Sequence, residues 1–365
     1  MFGSPSSVLY STILSQLLQN RKLSWNSTNI INNILSKLFT IELSREGLIL
    51  LNSMSGSDSV NSMDRTNSPN SPYNSIQTDG NSRAVSVCML KGGVGKSTIA
   101  VNLARQLAAQ AHDVLLIDLD PNGHASVGLG FDDQYHNTEE TIGDVFFDDA
   151  DPTSVVYDTS YEFDILPSSE DLEQVEREIV VGDVFQPSAL LKREVVDPLL
   201  GDTYDYIVTD SPAYRSRLTD NALVATANLV LPLAPGNEAM AGLERTIERQ
   251  ISPLRQHMDV DVLALVPNML SGRIDQQTQD RQLLERLNSH DNLQDRIPNF
   301  ARITDWGAVD AGDLSPSPGI RDRTSITKAY GERKPLLDYD PDCDQLKCFD
   351  ELAHIVEAGE VVRHG

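Results

Sequence analysis

The chain has 365 residues, with 54 acidic against 29 basic side chains and a net charge of −25. This length suits one large α/β domain with an appendage. So negative a surface excludes binding of nucleic acid over a whole face, because phosphates would be repelled. Any DNA contact must therefore be local.

The first 80 residues differ from the rest in composition. Ser and Asn supply 27 of them, and their five basic and five acidic side chains cancel, so the whole net charge lies in residues 81–365. Residues 52–83 are too poor in apolar side chains to offset the entropy of ordering them. We therefore expect residues 1–83 to be a Ser/Asn-rich, disordered extension, or in part an artefact of the assigned start, with Met54 or Met63 as the true beginning.

The acidic part and the three cysteines bear on habitat and compartment. Acidic surfaces stay hydrated in molar salt, so we favour a halophilic, haloarchaeal source over an ordinary acidic protein. Three cysteines argue against a disulfide scaffold, and their spacing favours neither a zinc site nor a metal cluster. No apolar stretch reaches the length of a membrane span, and the N-terminus lacks a basic signal region, so we expect a cytoplasmic protein.

From residue 84 onward, short apolar runs alternate with amphipathic segments. Strands are predicted over 84–90, 114–118, 163–166, 204–209, 229–233 and 262–266, with a weak one near Ile297. Helices are predicted over 97–111, 172–180, 219–227, 239–256, 277–288 and 343–358. Alternation of this kind predicts an α/β fold with a mostly parallel sheet of about seven strands and helices on both faces, and ligands then bind at the carboxyl ends of the strands.

Residues 90–98 carry the strongest motif, a glycine loop between a predicted strand and a predicted helix. The glycines let backbone N–H groups point at phosphate oxygens, and the helix adds its positive N-terminus. Lys96 is placed to reach the β- and γ-phosphates and Ser97 to place a hydroxyl on Mg²⁺. The predicted nucleotide-binding residues are Gly92, Gly93, Val94, Gly95, Lys96, Ser97 and Thr98.

The loop departs from the usual phosphate-loop pattern, because Leu90 stands where glycine is expected and Lys91 precedes Lys96 by five residues. In this it resembles the deviant-Walker P-loop ATPases, the family of ParA, Soj and MinD. The resemblance covers residues 84–360 as a ParA-like ATPase domain. It implies ATP and Mg²⁺ as ligands, and a homodimer formed on ATP binding in which Lys91 reaches the partner's nucleotide and acts in catalysis.

Two strands of this region end in carboxylates. Residues 115–123 are similar to the family's first switch motif, which implies that Asp120 positions the attacking water and Asp118 lies nearer the Mg²⁺, although Asn122 replaces the usual glutamine. Residues 204–213 resemble Walker B and the second switch, which implies that Asp210 holds Mg²⁺ through water. By the same resemblance Asn268, after another strand, recognises adenine.

A candidate DNA-binding segment lies in the C-terminal part. Within fourteen residues, five basic side chains stand against two acidic ones, which gives a local charge of +3 in an acidic chain. The five are Arg321, Arg323, Lys328, Arg333 and Lys334.

We therefore expect an ATPase, slow and stimulated by a partner protein, that acts as an ATP-dependent dimerising switch to partition or position chromosomal or plasmid DNA or other cargo, with nonspecific DNA as a ligand. Two alternatives remain. One is a nucleotide-binding adaptor that recruits a protein without DNA. The other is a MinD-type positioning ATPase, which residues 351–365 disfavour, because they are acidic rather than basic and amphipathic.

Overall fold

The computed structural model describes residues 82–271, 274–276, 278–311 and 318–363, without the side chains of residues 291 and 292. The predicted extension falls almost entirely outside these residues, and so do Met54 and Met63. The predicted nucleotide-binding and metal-binding residues all lie within them.

Seven strands form one sheet in the order β3-β4-β2-β5-β1-β6-β7. All neighbouring pairs are parallel except β3 with β4. The strands are β1 (Arg83–Val87), β2 (Val114–Asp118), β3 (Tyr157–Asp158), β4 (Asp164–Leu166), β5 (Tyr206–Asp210), β6 (Asn228–Leu233) and β7 (Asp261–Pro267).

Fifteen α-helical segments accompany the strands in the described residues. Along the chain they are α1 (Lys96–Ala109), α2 (His124–Gly128), α3 (Asp132–Asn137), α4 (Ile142–Phe147), α5 (Leu172–Val181), α6 (Asp197–Leu199), α7 (Arg217–Thr226), α8 (Ala239–Thr246), α9 (Ser252–Leu254), α10 (Gln279–Asn288), α11 (Asp291–Gln294), α12 (Trp306–Ala311), α13 (Thr324–Gly331), α14 (Leu336–Tyr339) and α15 (Leu346–Ala358). Two π-helical turns, Lys192–Val196 and Ile247–Ile251, lead directly into α6 and α9.

The central strands are buried on both faces. In β1, Val85 and Val87 pack in one apolar cluster with α1 and α15, whereas the alternate side chains Ala84 and Ser86 point to the other face and are also buried. On a strand, alternate side chains leave by opposite faces, so helices must cover both. This confirms the predicted α/β sheet and explains why its strands read as continuous apolar runs.

One strand prediction needs correction, and one edge strand was not predicted. The strand predicted near Ile297 is wrong. Ile297 is fully buried, but it lies in a turn after α11, and Pro298, which cannot donate a backbone hydrogen bond, follows it. The seventh strand is instead β3, two residues that pair antiparallel with β4 and are too short to give a pattern.

The pairing of the strands brings the predicted nucleotide-binding and metal-binding residues to one edge of the sheet. Strand β5 lies between β1 and β2, and Asp118 at the end of β2 pairs in register with Asp210 at the end of β5. The loop that follows β1 leaves the sheet at this same edge. The loop and both carboxylates are therefore neighbours because of strand order.

Candidate functional site

The glycine loop joins β1 to α1 in a conformation that its glycines require. Gly93 and Gly95 have φ angles of 68° and 83°, in the left-handed region that disfavours residues with a Cβ. At Gly95 a Cβ would also lie 2.3 Å from Nδ2 of Asn268. Gly95 is the N-cap of α1, so the loop ends on the electropositive terminus of a 14-residue helix.

Lys96, the first residue of α1, is only 7 % exposed. A lysine is rarely so buried without an anionic partner. Burial raises the pKa of Asp210, and the nearby positive charge of Lys96 opposes that rise. Lys96 therefore lies near a buried carboxylate at the start of α1.

Asp210 is the most unusual group of the site. It is fully buried, and among the described residues neither carboxylate oxygen has a partner with good hydrogen-bond geometry, although the Ser97 hydroxyl is near enough to lower its pKa. Burial and then the charge of Asp118 raise the pKa of Asp210 well above its usual range. An unpaired buried carboxylate is costly, so a cation is the chemically matched ligand.

Asp118 is satisfied within the chain. Its Oδ2 accepts hydrogen bonds from the backbone N–H of Ser126 at 2.9 Å and from the Ser126 hydroxyl at 2.7 Å, and its Oδ1 accepts one from the N–H of Asp120 at 3.2 Å. Burial raises the pKa of Asp118 to about 6 in spite of the Ser126 bonds. Asp118 therefore ties α2 to the end of β2, and its predicted place near Mg²⁺ stays a prediction.

Asp120 begins a turn that ends at Gly123, which has a φ of 61°. Its Oδ1 accepts hydrogen bonds from the backbone N–H of Asn122 at 3.1 Å and from Asn122 Nδ2 at 2.7 Å. The residue is 5 % exposed. The shorter amide that departs from the family pattern thus contacts the predicted catalytic carboxylate directly.

Lys91 lies at the start of the glycine loop beside α8. A Cβ added to Gly242 would lie 3.5 Å from the Cδ of Lys91. The neighbouring N–H of Leu90 donates to the hydroxyl of Thr246 at 3.0 Å. Helix α8 therefore holds the base of the loop, a role for Thr246 that the sequence did not reveal. Catalysis by Lys91 across a dimer stays a prediction.

Asn268 follows β7 and reaches back to the loop. Its Nδ2 donates to the carbonyl oxygen of Val94 at 2.8 Å, and the residue is 5 % exposed. The amide that the resemblance assigns to adenine is thus in contact with the loop itself. Recognition of the base stays a prediction, and support of the loop is the contact that is observed.

The structure pairs part of the basic C-terminal segment with carboxylates. Arg323 forms a bidentate ion pair with Asp344, at 2.6 and 3.0 Å, and Arg333 lies 3.1 Å from Asp132. Arg321 is half-buried, whereas Lys328 and Lys334 are exposed. Two of the five charges are therefore already matched by carboxylates, and the segment is a weaker anion site than its sequence predicts.

Two kinds of feature are absent from the described residues. Nowhere in them do three or more His, Cys, Asp or Glu side chains converge as a metal site. In the same part of the chain, no helix combines the length and the apolar character that a bilayer span needs.

Comparison with known proteins gives a consistent result. The AAA domain family matches residues 82–262. The chain is 30 % identical over 284 residues to the chromosome partitioning protein ParA of Caulobacter vibrioides, covering 77 % of this chain and 94 % of that one. It is 28 % identical over 277 residues to the sporulation initiation inhibitor protein Soj of Bacillus subtilis, covering 76 % and 98 %.

A solved structure supports the fold independently. It is that of a plasmid partition protein of Borrelia burgdorferi bound to AMPPNP, with a TM-score of 0.57 and 20 % identity. The alignment covers 75 % of this chain and 98 % of that one. The same strand and helix architecture therefore extends over nearly the whole of that protein.

Proposed function

Because the chain belongs to the ParA/Soj family of P-loop ATPases, we propose that it is an ATP-dependent dimerising switch that hydrolyses ATP to partition or position DNA or other cargo. The observation that carries this proposal is the buried Asp210 carboxylate, unpartnered by hydrogen bonds among the described residues, beside Lys96 and Ser97. This arrangement fits a site whose remaining partners are a cation and phosphate oxygens.

The residues present fit ATP with Mg²⁺. The left-handed glycines and the N-terminus of α1 supply the phosphate cradle, the Ser97 hydroxyl would supply a hard oxygen ligand for the metal, and Asp210 would hold the metal through water. Mg²⁺ usually keeps several waters and binds phosphate oxygens beside one or two protein groups, so Ser97 and Asp210 would be enough to hold it. When bound, the cation neutralises phosphate charge.

The chain's own groups then divide the chemistry. Lys96 stabilises charge on the phosphates, and Lys91 does so from the partner copy of a face-to-face dimer. Asp120 orients the attacking water and accepts its hydrogen bond. We further propose a slow reaction in the cytoplasm, stimulated by a partner protein.

Replacing Lys96 by alanine should weaken ATP binding by about 100-fold or more, because a charge-assisted contact to phosphate is lost from a nearly buried site. Isothermal titration with a slowly hydrolysed ATP analogue measures this. The matched control is Lys192→Ala, which removes an equally buried lysine that pairs with Asp197 away from the loop. Dimerisation on ATP that persists in the Lys96 variant would refute the scheme.

DNA binding should depend on Lys328 and Lys334, the two exposed lysines of the basic segment. We expect the double variant Lys328→Ala/Lys334→Ala to weaken ATP-dependent DNA binding and to reduce the slope of log affinity against log salt by about two. Arg323→Ala, whose side chain is already held by Asp344, should change the slope less. Fluorescence anisotropy with a random-sequence duplex across a KCl series distinguishes these outcomes.

The alternative adaptor function is supported by the ion pairs of Arg323 with Asp344 and of Arg333 with Asp132. These pairs leave little uncompensated positive charge for DNA. A dimer that forms with ATP but binds no duplex at any salt concentration would favour it. A MinD-type function has no such support. The apolar side chains of α15, among them Phe349, Leu352 and Ile355, are buried in the core instead of being free to enter a membrane.

A further inference from the structure

The turn that carries Asp120 is held from outside by two side chains to which no motif points. Tyr135, on α3, donates from its hydroxyl to the carbonyl oxygen of Pro121 at 2.7 Å. Its ring lies against Gly123, where an added Cβ would be 2.6 Å from Cδ2 and Cε2 of the ring. Gly123 thus has two reasons to be glycine, its left-handed backbone and the closeness of the ring.

The second side chain comes from the segment between β4 and α5. The hydroxyl of Ser168 donates to the carbonyl oxygen of Asp120 at 2.8 Å, and this carbonyl also accepts the N–H of Gly123 at 2.8 Å. The backbone N–H of Ser168 donates to the hydroxyl of Ser126 at 2.9 Å. Because Ser126 donates to the Asp118 carboxylate, Ser168 connects to Asp118 through Ser126 and to Asp120 at its backbone carbonyl.

The two contacts support each other. The backbone N–H of Glu170 donates to the carbonyl oxygen of Tyr135 at 3.0 Å, so α3 is joined to the segment that holds Ser168. The polar atoms of Ser168 are enclosed, with the residue 1 % exposed. A turn fixed at Asp120, Pro121 and Gly123 has little freedom to move its carboxylate.

We propose that Tyr135 and Ser168 are positioning residues for Asp120, and that they hold its carboxylate where it orients the attacking water. The inference rests on the proposed ATP hydrolysis. Neither side chain contacts a reacting atom. Each fixes a backbone carbonyl of the turn, and a small displacement of a catalytic group lowers the rate of the chemical step more than it lowers ground-state binding.

The test compares Tyr135→Phe and Ser168→Ala with Tyr157→Phe. Tyr157 is a matched control, because its hydroxyl lies 3.3 Å from Thr138 Oγ1 instead of contacting the Asp120 turn. We expect kcat for ATP to fall about three- to tenfold in each of the first two variants, with KM within about twofold, as loss of one hydrogen bond allows. Tyr157→Phe should keep the kcat of the native chain.

The outcomes separate this inference from the proposed function. If Asp120→Ala is inactive but Tyr135→Phe and Ser168→Ala turn over ATP normally, positioning is refuted and hydrolysis stands. If the native chain does not hydrolyse ATP, the proposed function fails, and amide hydrogen exchange over residues 119–127 decides the inference. Faster exchange there in Tyr135→Phe and Ser168→Ala than in Tyr157→Phe supports it, and equal exchange overturns it.

Discussion

Replacing Asp120 by alanine is expected to lower ATP turnover by about 10²- to 10⁴-fold while the ATP-bound dimer still forms. The phosphate cradle lies on the β1–α1 loop and the cation ligands on Ser97 and Asp210, so binding does not need this carboxylate. Within the described part of the chain, the hydrogen bonds of this carboxylate are to Asn122, and the residue is nearly buried at the edge of the sheet where Asp118 and Asp210 lie. The variant should therefore accumulate as a trapped dimer.

Single-turnover hydrolysis and light scattering with ATP measure the two effects separately. Asp133→Ala provides the control, because it removes an exposed carboxylate from the neighbouring α3 with the same change of charge. We expect that control to hydrolyse ATP and to dissociate like the native chain. Normal turnover in the Asp120 variant would remove its assigned role, and loss of the dimer would show that Asp120 belongs to binding.

Replacing Asp210 by asparagine should stabilise the empty protein and at the same time abolish its stabilisation by Mg²⁺ and ATP. The native carboxylate is fully buried and lies in register with Asp118. Removing its charge should raise the free energy of unfolding without ligand by about 1–3 kcal/mol at neutral pH. If removal of a residue stabilises the fold, the residue serves function and not stability.

Thermal unfolding with and without Mg²⁺ and an ATP analogue tests this prediction. The control is Asp261→Asn, the same change at an exposed strand position, which should alter stability little. Destabilisation of the empty Asp210 variant, or a normal response to Mg²⁺ with ATP, would contradict the proposed role of this carboxylate.

The stability of the ligand-free protein should depend on pH with a definite sign. Burial raises the pKa of Asp118 to about 6 and raises that of Asp210 well above its usual range. The native state then holds these protons more tightly than the unfolded chain, so the stability of the ligand-free protein should fall as pH rises through about 6. In Asp210→Asn this fall should be smaller, because one of the two groups no longer titrates.

The sequence was informative where chemistry is local. Residues 90–98 and the ends of β2 and β5 carry patterns that indicate local structure and a ligand class, and their strands were predicted within a few residues. The contacts that hold these pieces together were not predictable. Asn268 lies 174 positions from Val94, and Thr246 lies 156 positions from Leu90. No local sequence pattern links either residue to its partner, because only the tertiary fold brings each pair together.

The charge of the C-terminal segment likewise could not be predicted from local sequence alone. A count along residues 321–334 predicts a basic patch, but the carboxylates that match it, Asp132 and Asp344, come from other parts of the chain. A local excess of cations therefore indicates an anion site only when the fold leaves those cations unpaired. The conformation of the glycine loop was predicted more reliably, because Gly93 and Gly95 adopt backbone angles that favour glycine.

The ion pair between Arg333 and Asp132 makes the C-terminal segment and the loop after Asp120 thermodynamically dependent on each other. Arg333 has a φ of 59°, its Cδ would be 3.3 Å from a Cβ on Gly130, and Asp132 begins α3, which carries Tyr135. A DNA phosphate that binds Arg333 must compete with Asp132. By linkage, if bound nucleotide changes the affinity of this site for DNA by some factor, DNA changes the affinity for nucleotide by the same factor. The affinity for cargo DNA would then depend on bound nucleotide, and the affinity for nucleotide on bound DNA, through the guanidinium group of Arg333.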